Sequence, residues 1–416
     1  MGKTFDFNKM PIADIVNDII IDAVNKGASD IHFDPHDEVL KIRIRVDGIL
    51  QNYADVPNLF KNNLITRIKI ISGMNITETR LPQDGAIKQV LNNLNLDMRV
   101  SSLPTKKGEK IVIRILDYSM SLKGIEYLYF NESNYQKILK MINNPNGIIL
   151  VTGATGSGKS TTVYSFLQKL NVEGVNIITV EDPVEMDIEG ISQVQVNSDI
   201  GLDFSTVLRS ILRQDPNVIM IGEIRDGETA RIAVRASITG HLVLSTLHTN
   251  NSLNTIERLL DMDVERYLLA SALTGIVSQK LARKLCPKCR VKRETTPYEK
   301  KLFKAVIGQD VDFIYVAKGC PECSSGYRGR IAIHEVLLIN QDIRDAISDG
   351  IKKEKLRELV YNSDVITLLQ DGLYKVVGGF TTFEEILKLI ELDDEINDKS
   401  EAVKDGAKET VSNNII

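Results

Sequence analysis

Lys159 and Ser160 close a run of glycines, Gly153, Gly156 and Gly158, in the order Gly-Ala-Thr-Gly-Ser-Gly-Lys-Ser-Thr over residues 153–161. The G-x-x-x-x-G-K-[ST] spacing suits a phosphate cradle: without side chains, successive backbone N–H groups can approach phosphate oxygens, and the helix after the loop adds the partial positive charge of its N-terminus. Gly153, Ala154, Thr155, Gly156, Ser157, Gly158, Lys159, Ser160 and Thr161 are therefore expected to hold a nucleoside triphosphate. Lys159 is expected to reach the outer phosphates, and the Ser160 hydroxyl to ligate Mg2+.

Acids and histidines come after the apolar runs downstream. Glu181 comes after an apolar stretch at 176–180, where it could hold a metal-bound water or belong to a solvated acidic turn. Glu223 comes after the run at 218–221, the usual place for a group that organises Mg2+ or the attacking water. His248 ends the run at 242–246 and is in place to meet a terminal phosphate, whereas His241, just before that run, is either a second phosphate contact or a structural histidine. Arg209 and Arg213 lie one helical turn apart, which calls for an anion between them or for a solvated helix face. Asp215 reads as structural.

All four cysteines fall in two C-x-x-C pairs, Cys286 with Cys289 and Cys320 with Cys323. Such knuckles point to four thiolates around a tetrahedral, structural Zn2+. Disulfides or a redox pair are the less favoured use in a reducing compartment.

These groups need elements to carry them. Four apolar, β-branched runs at 148–151, 176–180, 218–221 and 242–246 alternate with helical patterns such as 206–213 and 226–237, which is the pattern of a parallel sheet buried on both faces. Ligands bind beyond the carboxyl ends of such strands, where the loop and the acids lie. Before this, helical spacing over 12–25, a hairpin through Asp47-Gly48 and strands near 87–90, 96–101 and 110–116 read as a separate α+β domain. The fold class is therefore α/β. Residues 1–117 form an α+β domain, 118–130 a linker and 131–392 the nucleotide-binding domain, with a cysteine subdomain at 285–325 and a helical C-terminal part. Residues 253–285 read as mostly helical, and 393–416 as an acidic disordered tail.

Of the 416 residues 43% are apolar and 26% charged, as in globular domains. No apolar run approaches a bilayer span and the first ten residues lack a signal-peptide core, so a cytosolic protein is expected. The net charge is −5, and residues 391–416 carry eight acids against three lysines, which leaves the body neutral and argues against a nucleic-acid-binding surface.

Four boxes together resemble the type II secretion and type IV pilus ATPases. They are Gly-Ala-Thr-Gly-Ser-Gly-Lys-Ser-Thr-Thr over 153–162, Ile-Thr-Val-Glu-Asp-Pro-Val-Glu over 178–185, Leu-Arg-Gln-Asp-Pro-Asn-Val-Ile-Met-Ile-Gly-Glu-Ile-Arg-Asp over 212–226 and Thr-Gly-His-Leu-Val-Leu-Ser-Thr-Leu-His-Thr-Asn over 239–250. Ala-Ser-Asp-Ile-His over 28–32, Arg-Leu-Pro-Gln-Asp-Gly over 80–85 and Asp-Met-Arg-Val-Ser over 97–101 resemble that family's PAS-like N-terminal domain, and Gly-Tyr-Arg-Gly-Arg over 326–330 its C-terminal part. The resemblance implies a RecA-like ATPase domain in a homohexamer at the cytoplasmic face of the membrane, powering pilin polymerisation or secretion through a polytopic platform protein. It also implies that Arg99 and Arg114 reach the phosphates when a subunit closes. The tetracysteine set favours the assembly or export branch over retraction. A DNA-translocating or competence motor, a retraction motor and a non-hydrolysing ATP-binding scaffold are the alternatives. Family assembly motors generally carry a further N-terminal domain, whereas this chain starts close to the PAS-like one. Ala154 stands where the family more often has Pro.

Overall fold

The computed structural model describes residues 5–7, 9–91, 94–116, 124–362 and 364–390. Residues 118–123 of the expected linker and the whole acidic tail therefore lie outside the described residues. Two compact units are formed, one of Met1–Asp117 with Tyr327–Gly329, the other of Tyr118–Gly326 with Arg330–Ile416.

The first unit is α+β. Its strands β1 (Ala28–Pro35), β2 (Val39–Val46), β3 (Ile49–Pro57), β4 (Gln83–Leu91), β5 (Leu94–Thr105) and β6 (Gly108–Leu116) form one sheet in the order β3-β2-β1-β6-β5-β4, antiparallel throughout. Period-two alternation sends Ile31 and Phe33 of β1 into a core shared with Ile15, Ile19 and Leu64 of the helices Ile12–Asn25 and Asn58–Ile71. Asp30 and Asp34 alternate with them and carry cations instead: Arg114 donates to Asp30 (Nε to Oδ1, 3.1 Å) and Arg43 to Asp34 (Nε to Oδ2, 2.7 Å). Arg99 and Arg114 are direct cross-strand partners in the β5–β6 register.

The second unit is built on a seven-stranded sheet in the order β15-β12-β7-β11-β10-β8-β9. Its strands are β7 (Gly147–Thr152), β8 (Ile177–Glu181), β9 (Ser192–Gln195), β10 (Val218–Ile221), β11 (Leu242–Leu247), β12 (Leu273–Leu285) and, after the two-stranded antiparallel sheet of β13 (Val291–Glu294) and β14 (Phe313–Val316), β15 (Tyr327–Leu338). Strands β12, β7, β11, β10, β8 and β9 pair in parallel. Alternate residues of β7 enter opposite cores: Ile148 and Leu150 pack with the helices Gly227–Ile238 and Ser252–Asp261, Ile149 and Val151 with Glu132–Ile142 and Lys159–Leu170. Both faces are covered, which is why these strands read as unbroken apolar runs.

The helical reading of residues 253–285 is corrected. Helices Ser252–Asp261 and Arg266–Ala272 are present, but Leu273–Leu285 is the thirteen-residue strand β12, parallel to β7. Its first seven residues are all buried, so no alternation marks it, and spaced apolar side chains fit either period. The C-terminal part likewise begins with a strand, β15, before the helices from Gln341 onward.

Candidate nucleotide site and tetracysteine cluster

Strand β7 ends at Thr152, and the helix Lys159–Leu170 starts seven residues later with Gly158 at its N-cap. All three of the loop's glycines are favoured by the backbone: Gly153 sits at φ 149°, Gly156 at φ 79° and Gly158 at φ 89°. At Gly153 crowding adds to this, because a Cβ there would lie 2.4 Å from the Gln279 carbonyl oxygen and 2.5 Å from Ser157 Oγ. Ala154, Thr155, Gly156 and Ser160 are exposed along the loop, with Thr161 half-buried behind them. Lys159 Nζ folds back over it, donating to the Gly153 carbonyl at 2.8 Å and the Ala154 carbonyl at 3.2 Å. Burial pushes its pKa down, opposed by the Glu223 charge.

Gln279 of β12 escaped the sequence reading. Its side chain, 1% exposed, donates from Nε2 to the Ser157 carbonyl at 2.7 Å and accepts at Oε1 from Thr162 Oγ1 at 2.8 Å, bridging the loop to its helix. The signal was a lone amide inside the apolar Ile276-Val277-Ser278-Gln279 run, since a buried amide needs partners.

The parallel register sets the loop's neighbours: Thr152 lies beside Leu247, and Ile221 beside Ser245. The residues just beyond β10 and β11 therefore emerge next to the loop. His248 Nε2 is 3.1 Å from Glu223 Oε2, and Glu223 Oε1 accepts from Arg225, whose Nε is at 2.7 Å and whose Nη2 contacts the same oxygen. Arg225 Nη1 also reaches Asp182, after β8, at 3.5 Å. Burial pushes the Glu223 carboxyl up, but Arg225 and His248 more than offset it, and the group titrates below the usual range.

Glu181, 3% exposed, is spent on the interior. It accepts from the Tyr164 hydroxyl, from Thr179 Oγ1 at 2.6 Å and from Gln193 Nε2 at 3.1 Å, a different use from the water-holding one expected. Arg209 pairs with Glu228 of the next helix, and Arg213 donates to the Arg209 carbonyl at 2.8 Å, so a carboxylate and a neutral backbone carbonyl occupy the two guanidinium groups. Of the two readings of His241 the geometry fits the structural one: its Nδ1 is 2.9 Å from the Ala236 carbonyl, at the amino end of β11. The six residues of that strand separate it from the loop by about 20 Å.

The four cysteine sulfurs all lie within 4.8 Å of one another. Cys286 and Cys320 are 4.0 Å apart, Cys289 and Cys323 3.7 Å, and Cys320 and Cys323 3.5 Å. Thiolates about 2.3 Å from a tetrahedral Zn2+ would be about 3.8 Å apart, so the donor set fits that ion with shifts of about 1 Å or less. Turn hydrogen bonds shape both knuckles, from Arg290 N–H to the Cys286 carbonyl (3.0 Å) and from Cys323 N–H to the Cys320 carbonyl (3.2 Å).

A glycine-rich loop at the carboxyl edge of a parallel sheet, faced by an acid and a histidine from neighbouring strands, is the geometry of an α/β protein with a candidate nucleotide site. A family model described as "Type II/IV secretion system protein" matches residues 6–388. The "Putative type II secretion system protein E" of Escherichia coli (strain K12) is 44% identical over 386 residues, 91% of this chain and 77% of that protein. The "Type IV pilus assembly ATPase PilB" of Myxococcus xanthus (strain DK1622) is 43% identical over 392 residues, 93% of this chain and 69% of that one. Among solved structures, the crystal structure of the pilus retraction motor PilT with bound ADP is similar with a TM-score of 0.62 at 26% identity, covering 90% of this chain and 96% of that one. The chain belongs to the type II/IV secretion system protein family. Among the described residues no helix is long and apolar enough to cross a membrane.

Proposed function

We propose that the chain is a motor ATPase that hydrolyses ATP to ADP and phosphate, and that it drives type IV pilus assembly or type II secretion. The observation that carries the reading is the convergence of Glu223 and His248 beside the loop held by Lys159. On binding ATP, Lys159 leaves the Gly153 and Ala154 carbonyls for the outer phosphates, while the loop N–H groups and the helix N-terminus hold the rest. The Ser160 hydroxyl would ligate Mg2+, which would supply charge neutralisation at the phosphates. Glu223, kept ionised by its neighbours, orients the attacking water, and His248 holds the second carboxylate oxygen. Glu181 fixes Tyr164 and the β8 end beneath Asp182. Residues 1–117 act as the PAS-like domain, bringing Arg99 and Arg114 to nucleotide in a homohexamer docked on a membrane platform protein, and the four cysteines would hold Zn2+ as a structural brace. Identity of 42–45% to secretion E and PilB proteins, against 26% to the retraction motor, supports assembly or export over retraction.

Glu223→Gln tests the reading in the purified chain. ATP affinity should stay within about twofold while turnover falls by about 10²–10⁴. Unchanged hydrolysis would refute the assignment. A deletion strain that keeps its pili and exported proteins, or an ATPase that DNA stimulates, would assign the engine to another load.

A further inference from the structure

The backbone around Glu223 is pinned while its side chain is not. Ile224 N–H donates to the Thr246 carbonyl at 3.1 Å, Thr246 Oγ1 donates to the Gly222 carbonyl at 2.7 Å, and the Ile224 side chain is buried. These ties fix where the Glu223 Cα stands. They leave the direction of its carboxylate, at the end of three rotatable bonds, to whatever holds the two oxygens.

Arg225, two residues on in the same loop, reaches the same carboxylate. Its planar fork spends Nε and Nη2 on Glu223 Oε1 and turns Nη1 toward Asp182 Oδ2 at 3.5 Å. Oε2 is thereby left toward His248. A guanidinium can satisfy both acids at once because its donors diverge in one plane, which an ammonium cannot reproduce. As a stabilising contact the pair counts for little: the Arg225 side chain is 59% exposed, and ion pairs that open to water are worth about 0–1 kcal/mol. Arg225 and Asp182 also line an open cavity of about 560 Å³, with Asp203 and Phe204 on its wall, so the guanidinium is not needed to fill a core.

We propose that Arg225 is a positioning residue for hydrolysis, a fork anchored on Asp182 that aims the Glu223 carboxylate. This inference rests on the reading of Glu223 as the water-orienting group.

The test is steady-state hydrolysis and fluorescent-nucleotide binding by the full chain carrying Arg225→Ala, Arg225→Gln or Arg225→Lys, with Glu223→Gln beside them. Arg225→Ala and Arg225→Gln should each lower kcat at least about tenfold, leaving ATP affinity within about twofold and the oligomeric state unchanged. Arg225→Lys should recover part of the loss, because one charge still pairs with Oε1 but cannot hold both acids. Should Arg225→Ala misfold, Arg225→Gln, which keeps length and polarity, gives the answer. A kcat within twofold of wild type in both neutral variants overturns the proposal, as does a loss confined to ATP affinity or one accompanied by dissociation of the assembly. Wild-type turnover in Glu223→Gln defeats the functional reading itself, a different outcome from an inactive Glu223→Gln beside an active Arg225→Ala.

Discussion

His248 Nε2 stands 3.1 Å from Glu223 Oε2, although the two residues are carried by different strands and are 25 positions apart in sequence. Parallel pairing of β10 with β11 makes the meeting possible, since both chains leave the sheet at the same edge. The histidine touches the acid, whereas the loop is held by Lys159 and Gln279. His248→Ala should therefore lower turnover by about 10–10² while ATP affinity changes less than about threefold, as read by phosphate release and fluorescent-nucleotide titration. A loss that falls on affinity instead would place the imidazole on the nucleotide.

Gln279 makes the opposite prediction. Replacing it by Leu keeps the volume but leaves the Ser157 carbonyl and the Thr162 hydroxyl buried without their partner, at about 1–3 kcal/mol for each group. Loop order should fall, so nucleotide affinity should drop at least about tenfold and the rise in Tm on adding ADP should shrink. Gln279→Glu should be as damaging, because a carboxylate cannot donate to a carbonyl. Calorimetric titration and thermal melts with and without ADP check both.

How far the chain could be read before its fold was known depends on how each part is held. Strands β7, β8, β10 and β11 are buried on both faces and show as apolar runs, and the loop's glycine spacing sits between one of them and a helix. Strand β12 was hidden because its apolar half carries no alternation and its distal half mixes Lys280, Arg283 and Lys284 with Leu281 and Leu285. Gln279 and Arg225 act through partners 117 and 43 positions away, and such pairings exist only once strand order is known. His241 and His248 bracket one strand, and only the direction of that strand in the sheet separates a helix-end contact from a site contact.

The cysteine cluster is tied to the rest of the fold by short links. Strand β12 runs from the loop strut Gln279 to Leu285, next to Cys286, and Arg283 on it pairs with Glu385, whose carboxyl is held low by Arg283 despite the opposing effect of burial. The purified chain should carry about one zinc per polypeptide by elemental analysis. Cys289→Ser with Cys323→Ser should abolish it, and the double variant or chelation should lower Tm by several degrees. Zinc-free protein of unchanged Tm would leave the sulfur cluster without a metal role.

His334 sets a pH dependence with a definite sign. Its imidazole is fully buried on β15 against Phe130, at a ring separation of 3.9 Å, and neither ring nitrogen has a hydrogen-bond partner. Burial, and after it the Lys375 charge, push its pKa well below 6.5, while Asp371 accepts both from the His334 backbone N–H at 2.8 Å and from Lys375. The folded state resists the proton and the unfolded chain takes it, so this group's contribution is intact above about pH 6.5. It is lost as pH falls below that value, at about 1.4 kcal/mol per unit, until the folded group itself titrates. Depressed carboxyls such as Glu299 and Glu385 add their own losses only nearer pH 4.5. Between pH 7.5 and 5.5 the wild-type chain should therefore lose stability that His334→Leu does not, read as a larger fall in Tm. Melts of both proteins at the two pH values decide it, and parallel losses would mean that the imidazole is charged in the folded chain.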